Sequence, residues 1–102
     1  MTSLASLAAI VDALRDAGVL VETLGTLPLT ARSVTDDSRH VAPGALFIAV
    51  RGSVHDGHDF LAAAEGGGAA AAIVEDPGRT TLPRIVVRDG RRAAAVAAAA
   101  AH

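Results

Sequence analysis

A chain of 102 residues with a formal net charge of -2 has room for one small domain and offers no basic surface for a nucleic-acid backbone. All nine basic residues are arginine, which removes the lysine of a phosphate-binding loop, any Schiff-base lysine and any lysine general base. With no cysteine there is no disulfide framework, thiol nucleophile or thiolate metal site.

Hydrophobic residues are 51% of the sequence, yet aromatics are only 2%, Phe47 and Phe60. The apolar content is mostly alanine, which buries little area per residue, so the expected core is thin and its stability marginal without a neighbouring domain. Met1 to Ala9 carry neither the positive charge nor the apolar stretch of a signal peptide. The alanine runs are shorter than the roughly 20 residues of a membrane helix. The expectation is a cytoplasmic protein with no membrane or nucleic-acid partner.

In chain order, Ser3 is placed to cap a helix whose apolar stripe is Leu4, Leu7, Ile10, Val11 and Leu14, with Gly18 as its stop after Arg15. Val19 to Thr30 is mixed, with Gly25 and Pro28 marking loops. Arg32 to Thr35 is a candidate edge strand running into the polar cluster Asp36, Asp37, Ser38 and Arg39. Pro43-Gly44 has the chemistry of a type II turn. Ala45 to Val50 is apolar on both faces and suits a strand buried in a parallel sheet. Arg51 to His58 is polar and glycine-punctuated, with Asp56 or His58 preceding a helix from about Asp59 to Glu65. Ala70 to Glu75 and Arg84 to Arg88 follow as buried strands, separated by a loop holding Pro77, Gly78 and Pro83. From Asp89, acting as cap, the alanine-rich end favours helix. This order predicts a small α/β domain with a short, mostly parallel sheet flanked by helices and right-handed crossovers.

Gly66-Gly67-Gly68 follows a helix and precedes a strand, the reverse of a phosphate loop, and reads as a helix C-terminus. His55-Asp56-Gly57-His58-Asp59 holds imidazole and carboxylate groups that suit zinc or manganese. Neighbours on one short loop point in different directions, however, and a glycine turn with a helix N-cap, His58 or Asp59 lying near the helix dipole, accounts for them better. Asp37-Ser38-Arg39 beside His40 lacks the nucleophile elbow of a Ser–His–Asp triad. An Asp37–Arg39 bridge shaping a turn is the simpler reading, compatible with an anion or hydroxyl contact. Two polar clusters therefore flank one buried strand. Ligands of open α/β sheets bind beyond the carboxyl ends of the strands, so Arg51 to Asp59 is the candidate binding segment.

From Val34 to Glu75 the chain carries, in order, Asp37-Ser38-Arg39, Pro43-Gly44, Leu46-Phe47, Ala49, Gly52, Asp56-Gly57-His58-Asp59-Phe60, Ala64 and Gly68-Ala69. Arg84 to Asp89 then leads into the alanine-rich helix. This ordered series resembles the N-terminal domain of the Mur ligases over nearly the whole chain. The resemblance implies a domain, spanning residues 1–102, that holds the UDP end of a UDP-N-acetylmuramoyl-peptide. The implied ligase adds the third amino acid of the peptidoglycan stem, meso-diaminopimelate or L-lysine. The alternatives are the member that adds D-alanyl-D-alanine, and a free-standing binding or regulatory module.

Carried over to this sequence, the nucleotide contacts are Ser38 and Asp36, with Ser53, Val54 and His55 touching uracil or diphosphate. A carboxylate beside a diphosphate repels it, so any contact at Asp36 runs through its backbone. Asp37, Arg39, Gly52, Asp56, Gly57 and His58 are expected to support the loops, and Phe60 to fill the core. No catalytic or metal-binding residue is implied. The family's central ATPase domain and C-terminal domain, with their ATP and Mg2+, are not found in these residues. The chain is thus expected to be a fragment or excised domain, inactive in ligation alone, with those domains as partners.

Overall fold

The run around Phe47, apolar on both faces, can satisfy its backbone and bury its side chains only inside a sheet. The computed structural model, which describes residues 4–101, has it there. In chain order the elements are β1 (Ala5–Ser6), α1 (Leu7–Asp16), β2 (Leu20–Leu24), β3 (Thr30–Ala31), β4 (Val34–Thr35), β5 (Leu46–Ile48), α2 (Leu61–Gly66), β6 (Ala71–Val74), β7 (Arg84–Val87) and α3 (Gly90–Ala100). Single 3-10 turns cover Ser38–His40, Gly57–Phe60 and Pro77–Arg79. The main sheet has the order β2-β7-β6-β5-β4. β4, β5, β6 and β7 are mutually parallel, and β2 closes the far edge antiparallel to β7.

Alternation along the strands divides the core in two. Leu46, Ile48, Ala71, Ile73, Ile85 and Val87 face Leu7, Ile10 and Leu14 of α1 and Ala93 and Ala97 of α3. Phe47, Ala49, Ala72, Val74 and Val86 face Leu61 and Ala64 of α2. The result is a three-layer α/β/α arrangement with a short, mostly parallel sheet, as the element order implied. The Pro43-Gly44 turn is also as read: Ala45 N–H donates to Ala42 O at 3.1 Å, and Gly44 takes φ +88°, which a type II turn requires at its third position. Asp89 caps α3 by accepting from Arg92 N–H at 3.1 Å.

Three expectations need correction. Ser3 lies outside the described residues. The helix it was expected to cap starts at Leu7, and Ser6 Oγ accepts from Ala9 N–H at 3.2 Å. Leu4 is 54% exposed and leaves the apolar stripe, because Ala5–Ser6 pairs antiparallel with Thr30–Ala31 instead of entering the helix. Within the mixed stretch Val19 to Thr30 lies a real strand, β2. Its side chains at Val21, Glu22 and Thr23 are all exposed and its register slips between Leu20 and Glu22, so no period of two marks it. The helix expected from Asp59 is a 3-10 turn over Gly57–Phe60 followed by α2, with Asp56 as the cap.

Phe47 is fully buried and is the single aromatic of the core. Phe47→Ala should cost about 3–5 kcal/mol by urea unfolding, a large part of the roughly 5–15 kcal/mol typical of a domain. A loss below about 1 kcal/mol would contradict its place in the core.

Candidate functional site

Parallel strands end on the same side. The segments that follow β4, β5, β6 and β7 therefore emerge together along one edge of the sheet, although they are far apart in sequence. Residues 36–40 follow β4, residues 49–57 follow β5, Glu75 and Asp76 follow β6, and Arg88 and Asp89 follow β7.

After β4 the chain turns on a carboxylate. Asp37 Oδ1 accepts from Arg39 N–H at 2.9 Å and from Arg39 Nε at 3.0 Å, while Oδ2 accepts from Nη2 at 2.8 Å. The Asp37 amide in turn donates to Thr35 Oγ1 at 3.0 Å. The Arg39 guanidinium, then the Arg39 amide, hold the Asp37 carboxyl down at about 2, and the same contact pushes Arg39 up. His40 Nδ1 stands 3.7 Å from Asp37 Oδ2. The Asp37–Arg39 bridge read from the sequence is present, and it is bidentate.

After β5 the chain makes a narrow hairpin. Gly57 N–H donates to Val50 O at 2.7 Å, Arg51 and Asp56 form an antiparallel bridge, and Gly52 N–H donates to His55 O at 2.8 Å. Ser53 and Val54 stand at the exposed tip. Only glycine fits at 57, since a Cβ there would lie 2.5 Å from Val50 N.

His58 is the buried polar side chain among the described residues, 2% exposed. Its Nε2 accepts from two backbone amides at the end of β6, Glu75 N–H at 3.0 Å and Asp76 N–H at 3.1 Å. An Nε2 that takes two donors carries no proton, so the network assigns the hydrogen to Nδ1, which lies 2.7 Å from Asp56 Oδ1. Asp56 Oδ1 also accepts from His58 N–H at 2.9 Å. That amide, then the ring, lower the Asp56 carboxyl below its ordinary range. Arg51 approaches Asp56 Oδ2 and Glu75 Oε1 at 3.5 and 3.6 Å, and Glu75 Oε2 accepts from Gly90 N–H at the start of α3 at 2.9 Å. Asp59 pairs with Arg79 Nη2 at 2.7 Å. The sequence placed His58 in the polar loop, near a helix dipole. Its partners lie 17 and 18 residues away, and no local pattern announces them.

The two polar clusters meet in an open cleft of about 520 Å³ lined by Asp36, Asp37, Ser38, Arg39, His55 and Phe60. Ser53 and Val54 are not in its lining, and Val54 is 82% exposed. Phe60, expected in the core, is 39% exposed and stands edge-on to His55, with ring centroids 6.1 Å apart. It ends the 3-10 turn, so the buried positions below fall to Leu61 and Ala64 instead. His55, a nucleotide contact implied by the resemblance, and Phe60, the last residue of the Asp56-Gly57-His58-Asp59-Phe60 motif, are thus paired, which no local pattern announced. The cleft offers an aromatic wall for a flat ring, a hydroxyl and a guanidinium, while the Arg39 and His40 amides of the 3-10 turn are already held by Asp37. Two carboxylates face one guanidinium, so it is not a strong electrostatic trap for anions. Among the described residues no group of three or more His, Cys, Asp or Glu could hold a metal ion.

Two outcomes follow from this geometry. The depressed Asp37 group contributes stability that is complete above its unfolded value of 3.8 and is lost as pH falls toward about 2. The Asp37 carboxyl 13C signal should titrate near 2, and in Arg39→Ala it should return toward 3.8. Gly57→Ala should cost roughly 1–3 kcal/mol in urea unfolding, because backbone must move to admit the methyl. Its amide shifts should concentrate in residues 49–57.

Residues 30–102 match the Mur ligase family, catalytic domain. Over 31 residues the chain is 71% identical to a UDP-N-acetylmuramoyl-L-alanyl-D-glutamate--2,6-diaminopimelate ligase of Chlorobaculum tepidum, covering 30% of this chain and 6% of that protein. Over 54 residues it is 48% identical to the protein of the same name from Chlorobium phaeobacteroides, covering 52% and 10%. Among solved structures, MurF from Acinetobacter baumannii superposes with a TM-score of 0.78 at 25% identity, over 97% of this chain and 21% of that one. A UDP-N-acetylmuramoylalanyl-D-glutamyl-2,6-diaminopimelate--D-alanyl-D-alanyl ligase of the same organism gives 0.70 at 26% identity, over 90% and 20%. The chain therefore spans a tenth or less of the curated relatives and about a fifth of the solved structures. With its family match reaching across well over half its length, the chain belongs to the Mur ligase family.

Proposed function

We propose that this domain binds the UDP moiety of a UDP-N-acetylmuramoyl-peptide and presents that substrate to an ATP-dependent amino-acid ligase. The observation that carries this reading is the cleft at the carboxyl ends of β4 and β5, where Asp36 to Arg39 and His55 share one wall with Phe60. Its volume of about 520 Å³ falls within the range of nucleotide-sized sites. The uracil ring packs against Phe60 and His55, whose faces and edges suit a flat heteroaromatic ring. The Ser38 hydroxyl and amide donate to the ribose or diphosphate, the Arg39 and His40 amides being held by Asp37. Arg39 supplies the positive charge, and Asp37 keeps its guanidinium in place. Asp36 contributes backbone rather than its carboxylate, which would repel phosphate. Ser53 and Val54, at the exposed tip of the loop and outside the cleft lining, would meet only the part of the substrate that extends beyond the cleft.

The chain's own residues do not fit the ATP-dependent step. It has no lysine for a phosphate loop. Recognition is the role left to it, in partnership with the ATPase and C-terminal domains of such a ligase. The proposed role is a cytoplasmic one; separately, none of the described helices is long and apolar enough to cross a membrane. The third-residue, diaminopimelate-adding type of ligase is the reading favoured by the local sequence identities of 71% and 48%. The D-alanyl-D-alanine-adding type is the second reading, supported by the structural likeness to MurF.

Titrating the 15N-labelled domain with UDP, and with CMP and inorganic phosphate as controls, tests the proposal. Saturable amide shifts specific to UDP should appear at residues 36–39 and 52–60. A folded protein showing no UDP-specific shifts at millimolar ligand would refute it.

A further inference from the structure

We propose that His58 is the positioning residue of this cleft: its ring fixes the segment 55–60, and with it the His55–Phe60 wall, against the end of β6. The inference rests on the uridine-diphosphate reading of the cleft, which His58 itself does not touch.

The segment 55–60 supplies two of the cleft's lining residues, yet it lies on the surface and has few apolar anchors of its own. Asp56 precedes the 3-10 turn, while Asp59 and Phe60 are exposed. Between them the His58 side chain is fully enclosed. A purely space-filling role would suit an apolar side chain of similar volume. An imidazole with both nitrogens engaged adds direction: Nε2 meets the Glu75 and Asp76 amides at 3.0 and 3.1 Å, and Nδ1–H meets Asp56 at 2.7 Å. One end of the ring is thereby tied to the sheet, and the other to the residue next to His55. Replacing the acceptor with an apolar group would leave the Glu75 and Asp76 amides, just after β6, without this partner, so the ring resists displacement. The Asp59–Arg79 pair is more exposed, and screening makes it the weaker tie.

The nitrogens can be tested separately. Glutamine places its Oε1 near the position of Nε2, whereas asparagine places its Nδ2 near the position of Nδ1. His58→Gln keeps an acceptor for β6, and His58→Asn keeps only a donor for Asp56. If the tie to β6 sets the wall, His58→Asn should lose the nuclear Overhauser contacts between the His55 and Phe60 rings in the free protein. Its UDP dissociation constant should rise about tenfold, the equivalent of one lost hydrogen bond, with amide shifts outside residues 49–60 and 75–76 unchanged. His58→Gln should retain the ring contacts and bind within about threefold of wild type.

A folded His58→Asn that keeps both the ring contacts and the affinity would overturn the positioning role and leave UDP recognition standing. Absence of UDP binding in the wild type would sink the recognition reading, while the ring contacts, measured without ligand, would still decide the role of His58. Should His58→Asn not fold, 15N shifts of the wild-type ring and the behaviour of His58→Gln decide it. A protonated Nε2 in the folded protein, or a glutamine variant without the ring contacts, would contradict the proposal.

Discussion

The parallel pairing of β5 with both of its neighbours is the constraint on which the rest depends. Val34 pairs with Leu46, and Leu46 with Ala71, so the three strands run in step and end together. That common ending brings a turn held by Asp37 beside a hairpin closed by Gly57, although β4 and β5 are joined by a connection that carries the chain back the length of the sheet. β4 contributes only two residues of strand, yet they suffice to orient the segment after it. Were β5 antiparallel to β4, residues 36–39 and His55 would sit at opposite ends of the sheet and no shared cleft would form.

A core of alanine and short aliphatic side chains complements this arrangement. Ala93 and Ala97 let α3 lie close over Ile48 and Ile73. Gly90, at its first turn, is near enough to the sheet that an added Cβ would lie 2.9 Å from Ala49 O. Close approach lets the Glu75 carboxylate reach the Gly90 amide and satisfy a helix N–H that would otherwise be orphaned. The same residue meets Arg51, so the hairpin after β5, the end of β6 and the start of α3 share one polar network. The thin core favours a small, precisely spaced scaffold over a deep pocket, and the cleft accordingly lies on its edge.

Much of this was legible in the sequence wherever the signal is local. The run Ala45 to Val50 announced a buried strand because both of its faces are apolar. Pro43-Gly44 named its turn, and Asp89 its cap, because each acts on backbone only one to three residues away. The polar cluster of residues 51–58 reads at the carboxyl end of its strand, whereas residues 36–39, which precede that strand in sequence, reach the same edge only through the parallel pairing of β4 with β5. β2 escaped because an edge strand with a bulge, exposed at its centre, has no clean alternation to read. The helix start moved from Ser3 to Ser6 because Ala5–Ser6 pairs with a strand some 25 residues later, a tertiary choice that propensity cannot see. His58 was hidden for the same reason, its acceptor being used by amides remote in sequence. Phe60 misled because an aromatic in an aromatic-poor chain reads as core, whereas the 3-10 turn leaves it at the rim.

On the proposed function, the His55–Phe60 wall receives the base of the nucleotide. Intermolecular nuclear Overhauser contacts from uracil H5 and H6 of bound UDP test it most directly. Contacts to the Phe60 and His55 ring protons are expected, with the Asp36 to Arg39 amides shifting in the same titration. Saturable binding whose uracil contacts fall instead on the apolar groove of Leu7, Val11 and Leu29, or on any surface away from Phe60, would contradict it.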